Sequence, residues 1–151
     1  MIDVPTKELL HYDGNKLTVT LHPGQTQAHD SRKRFTFIIA GTQSGKTSYL
    51  PIWLDREITH QGTGDYLGVT ATYDLLKLKL LPELQNYFCH LFGWQYGASE
   101  RVIWRQDKPR MFTRIIMRSA DAEGGLESAT GKAALFRGER LRPATIAGAL
   151  L

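Results

Sequence analysis

The hydrophobic positions of the chain fall into short runs separated by polar, turn-forming stretches, the order expected of strands alternating with helices. Residues 1–34 are polar and turn-rich. Asp13-Gly14-Asn15 fits a hairpin turn and His22-Pro23-Gly24 a second turn, so this part reads as a lead-in segment. Phe35-Thr36-Phe37-Ile38-Ile39-Ala40 is β-branched and aromatic and is bounded by glycine, the pattern of a strand buried on both faces of a parallel sheet. A helix is predicted over residues 48–59, with Pro51 one turn in, where its missing N–H costs little. After a loop at 61–65, residues 66–71 predict a second buried parallel strand.

The second half continues the alternation. Asp74 can cap a helix over 74–92 that is broken or kinked at Pro82, stopped by Gly93 and striped by Leu84, Phe88 and Leu91, with Cys89 as a core thiol beside the stripe. Val102-Ile103-Trp104 and residues 112–117 predict a hairpin turning around Asp107-Lys108-Pro109. Residues 119–132 form a Gly-, Ala- and Ser-rich loop. Residues 133–136 begin another buried strand, which Arg137-Gly138-Glu139-Arg140 then interrupts with charges and a breaker. The fold expected is α/β, with a core over 35–136, a mainly parallel sheet covered by helices, and an incomplete C-terminal end. Residues 137–151 are expected to leave the sheet as a divergent tail.

Composition narrows the setting. A chain of 151 residues that is 42% hydrophobic and 23% charged can bury a core without disulfides or a structural metal. The single cysteine cannot form an internal disulfide, and the histidines show no zinc-ligand spacing, which points to a reducing cytoplasm. No apolar run approaches the roughly 20 residues of a membrane span, and the N-terminal residues have no signal-peptide pattern. Residues 1–100 hold nine Lys/Arg against ten Asp/Glu, whereas residues 101–151 hold ten against five. That imbalance favours a polyanion or simply a solvated basic face.

The chemistry concentrates at Ala40-Gly41-Thr42-Gln43-Ser44-Gly45-Lys46-Thr47, a phosphate-loop pattern with alanine at its first position. Glycines let backbone N–H groups wrap triphosphate oxygens, and the following helix adds its positive end. In that role Gly41, Thr42, Gln43, Ser44 and Gly45 cradle phosphates, Lys46 reaches the β- and γ-phosphates of ATP, and the Thr47 hydroxyl holds Mg²⁺. The alternative is a Gly/Ser/Thr-rich turn that merely links a strand to a helix.

His22-Pro23-Gly24-Gln25, Arg34-Phe35 leading into Ile39-Ala40-Gly41, and Gly45-Lys46-Thr47 together resemble the N-terminal ATPase domain of phage terminase large subunits, the motors that package viral DNA. Residues 66–74 are similar to that family's second strand, and Arg118-Ser119-Ala120-Asp121 with Ala129-Thr130-Gly131-Lys132 to the approach to its Walker B strand. The resemblance spans about residues 20–135. It implies a P-loop NTPase-type three-layer αβα fold, ATP and Mg²⁺ as cofactors, and Gln25 as the contact to adenine, with a solvated turn residue as the alternative for Gln25. It further implies double-stranded viral DNA, the portal and the small terminase subunit as partners, and a ring-forming motor in the cytoplasm of a bacterial host.

The chain departs from the family in three places. Thr42, Gln43 and Ser44 stand where many members carry an arginine, and Leu135-Phe136-Arg137-Gly138 stands where the Asp-Glu pair follows the Walker B strand. The nuclease domain is absent, so a truncated or frame-shifted gene product, binding ATP with little hydrolysis, is expected. Two other readings remain: a helicase-like P-loop translocase using Glu123 or Glu127 as its carboxylate, and a non-catalytic binding protein.

Overall fold

The computed structural model describes residues 9–39, 46–121, 131 and 134–137, with residues 46, 47 and 134–137 described by their backbone alone. The chain forms two compact units, Met1–Tyr49 and Leu50–Leu151.

In the first unit, strands β1 (Leu10–Asp13) and β2 (Lys16–Val19) pair antiparallel around Gly14, whose φ of +54° suits glycine at the tip of the predicted hairpin. Helix α1 (Pro23–Asp30) follows, where the sequence predicts only a turn. The reason lies in the cap. His22 Nδ1 accepts hydrogen bonds from the backbone N–H groups of Gly24 and Gln25 at 3.2 and 3.4 Å, and Gln25 Oε1 accepts from the His22 N–H at 3.1 Å. This is a reciprocal capping box built on histidine, with proline at the first helical position.

Residues 35–39 do not form the expected buried strand. They join no strand ladder among the described residues, and Phe35, Phe37 and Ile39 are more than half exposed. Residues 40–45 of that run and its loop lie outside the described residues. Helix α2 (Lys46–Gln61) starts directly after Gly45 and covers the predicted 48–59.

The second unit is mixed α/β. Its sheet runs β4 (Gln95–Gly97), β5 (Val102–Lys108), β6 (Met111–Ser119), β3 (Asp65–Thr70) and β7 (Ala134–Arg137) in spatial order. Strand β3 is parallel to both β6 and β7, while β4, β5 and β6 pair antiparallel. The sheet is therefore mixed rather than mainly parallel, because a two-residue connection between β5 and β6 allows only an antiparallel pair. Arg137 still pairs in register with Thr70, so the sheet extends one residue past the expected break at Phe136. Residues 138–151 lie outside the described residues.

Helical residues 73–91 form α3, which packs against β3, β5 and β6. Leu76, Leu80, Leu84 and Phe88 recur every fourth position and are all buried, extending the predicted stripe toward the N-terminus. Ile115 and Met117, alternate residues of β6, are fully buried as well. Pro82 does not break this helix. π-helical turns over Leu76–Leu80 and Gln85–Leu91 flank it, and the Leu81 N–H bonds Leu76 five residues back, which accommodates a ring that cannot donate. Thr72, not Asp74, caps the N-terminus, its Oγ1 accepting from the Leu75 N–H at 3.3 Å. Gly93 ends the helix at φ +72°, with bonds from Gly93 N–H to Cys89 O and from Trp94 N–H to Phe88 O, and the Trp94 ring packs 4.8 Å from Phe88. Cys89 is half-buried, and burial pushes its thiol pKa up.

Two polar clusters tie the unit together. The Tyr87 hydroxyl donates to Asp55 at 2.7 Å, joining α3 to α2, and burial together with that bond pushes the phenol pKa far up. A register irregularity between Gln106 and Lys108 re-aims Asp107, which accepts from Arg105 at 2.6 Å, Thr63 at 3.1 Å and Thr113. Burial alone would raise the Asp107 carboxyl, but these donors and the Arg105 charge outweigh it and hold it below its ordinary range. No described helix is long and apolar enough to cross a membrane.

Candidate functional site

The first unit contains a concavity of about 440 Å³ on which α1, residues 35–39 and the first turn of α2 converge. Its polar floor is Gln25, which is only 6% exposed because the capping box pulls its side chain back over the start of α1. Gly24 permits this arrangement: a Cβ there would sit 3.2 Å from His22 Cε1 and crowd the capping ring. The apolar lining includes Phe35, Phe37, Ala28 and Tyr49.

Tyr49 lies three residues after Lys46 on α2 and is fully buried. Its hydroxyl lies 3.3 Å from His29 Nδ1, and the two rings meet edge to face at 6.2 Å. Tyr49 is thus held to α1 by its contact with the half-buried His29. The cavity holds a slot of apolar and aromatic side chains around one buried amide, a chemistry suited to a flat heteroaromatic ring.

The residues predicted from sequence divide into three groups. Gln25 is placed in the concavity. Lys46 and Thr47 are the first two residues of α2, at the end whose unpaired N–H groups favour an anion. Gly41, Thr42, Gln43, Ser44 and Gly45 lie outside the described residues, as do Glu123 and Glu127. Sequence reasoning missed Tyr49, His29 and Phe37. The hydrophobic pattern assigns Phe37 to a buried strand, and it gives Tyr49 and His29 no signal as a pair, because their contact spans 20 positions. Among the described residues, no group of three or more His, Cys, Asp or Glu side chains is arranged to hold a metal ion.

Comparison with known proteins adds no relative: no family model matches the chain, and neither a curated protein nor a solved structure resembles it significantly.

Proposed function

We propose that the chain binds Mg-ATP through residues 40–47 and serves as the nucleotide-binding part of a terminase-type DNA-packaging ATPase. The observation that supports this most is the sharing of one concavity by Gln25 and Tyr49, the first from the segment that the resemblance assigns to adenine and the second from the first turn after the phosphate loop. A nucleotide needs a base slot and a phosphate cradle joined by a short stretch of chain, and the concavity, lined by Tyr49 three residues after Lys46, is compatible with the slot. In this reading the adenine occupies the concavity lined by Phe37 and Tyr49 and meets Gln25. Lys46 meets the β- and γ-phosphates, and the Thr47 hydroxyl holds Mg²⁺, which neutralises phosphate charge. The full three-layer P-loop fold, the viral DNA, the portal and the small subunit belong to the same proposal.

Strand β7 carries Ala134, Leu135, Phe136 and Arg137 and no carboxylate, so ATP is expected to be held with turnover orders of magnitude below that of a complete motor. Competition binding tests the base assignment. Wild type is expected to prefer ATP over GTP, and Gln25→Ala to lose that preference while retaining part of its affinity for both. Equal affinities for ATP and GTP in wild type, unchanged in the variant, would return Gln25 to the role of a helix-capping residue.

A further inference from the structure

A second cleft, of about 640 Å³, lies in the C-terminal unit. Thr70 and Ser119 end the parallel strands β3 and β6 and are paired in register, and Ser119 lines this cleft, which therefore sits at the carboxyl edge where open α/β sheets bind ligands. Three side chains able to donate line the cleft. Ser119 is 1% exposed, and its hydroxyl has no hydrogen-bond partner among the described residues, an arrangement that is costly unless a ligand completes it. Lys77 reaches the cleft from α3 and Arg101 from the turn between β4 and β5, and neither is in an ion pair among the described residues.

The turn that carries Arg101 is held in a demanding conformation. Arg101 has φ +54°, uncommon for a residue with a side chain, and its carbonyl accepts from the Met117 N–H at 3.0 Å. Its guanidinium rests over the Tyr73 ring at 5.3 Å, which presents it to the cleft. Asp121 also lines the cleft, but its carboxylate accepts from the Tyr73 N–H at 3.4 Å and does not pair with either cation.

We propose that this cleft is a phosphate-binding subsite, built from residues other than the phosphate loop, in which the oxygens accept from Lys77, Arg101 and Ser119. Three donors from three elements match a tetrahedral oxyanion better than a carboxylate, which offers two oxygens. Tyr96 also lines the cleft beside these donors. The phosphate comes either from a small molecule or from a nucleic-acid backbone.

The test uses the whole chain carrying Lys46→Ala, so that the outcome does not depend on whether the phosphate loop binds ATP. Amide NMR shifts are followed during titration with inorganic phosphate and, separately, with a ten-residue oligothymidylate. Saturating shifts at Tyr73, Arg101 and Ser119 are expected, and Lys77→Ala and Arg101→Ala should each weaken binding about tenfold. Saturation by inorganic phosphate identifies a small-molecule source, and saturation by the oligonucleotide alone identifies a backbone. Ser119→Ala separates binding from packing: it should raise the melting temperature, by removing a buried unpartnered hydroxyl, while weakening the ligand. No shift with either probe, or shifts that the cation variants leave unchanged, would overturn the proposal.

Discussion

Gly131 shows how closely single positions are specified. A Cβ at this residue would lie 3.2 Å from Asp65 O, Leu67 N and Tyr66 C, so the obstacle is the β3 backbone rather than a side chain able to turn aside. Gly131→Ala is therefore expected to destabilise the chain by about 1–3 kcal/mol, read from urea unfolding. Asp107 makes a second residue-scale prediction. Because its folded pKa is depressed, its contribution is present above the ordinary aspartate value and is lost as pH falls through the folded one. Asp107→Asn should lower stability by about 1 kcal/mol at pH 7 and flatten the acid limb of a plot of melting temperature against pH. An unchanged acid limb would show that the bonds from Thr63, Thr113 and Arg105 do not couple protonation to folding.

At the scale of elements, α3 carries the core of the second unit. Leu80 is fully buried at the middle of its stripe, and Leu80→Ala is expected to cost about 2–5 kcal/mol in chemical denaturation. This helix was legible because Leu84, Phe88 and Gly93 announce a face and a stop within a single local pattern. The hairpin of β5 and β6 was legible for the same reason. Helix α1 was not, since it buries Ala28 as its one apolar side chain and takes its cap from a histidine, a residue outside the usual capping set. The run at 35–39 misleads in the opposite direction: its side chains suit a strand, but a parallel strand exists only beside a partner, and partner choice is a long-range property that composition does not encode. The chemistry of the concavity was half legible. Gln25 stands out by motif, whereas Tyr49 and His29 gain meaning only through a contact that spans 20 positions.

The whole molecule comprises two compact units, one with the concavity around Gln25 and one with the mixed sheet, and residues 101–151 carry a positive balance. The central proposal is that residues 40–47 bind the phosphates of ATP. Calorimetric titration of Mg-ATP into the wild-type chain and into Lys46→Ala, with thermal melts of both, tests it most directly. Lys46 begins α2, so removing its charge should abolish most of the affinity and leave the melt unchanged. Saturable binding to wild type that falls at least tenfold in Lys46→Ala is the predicted result; no binding to wild type, or equal binding to the two proteins, would contradict it.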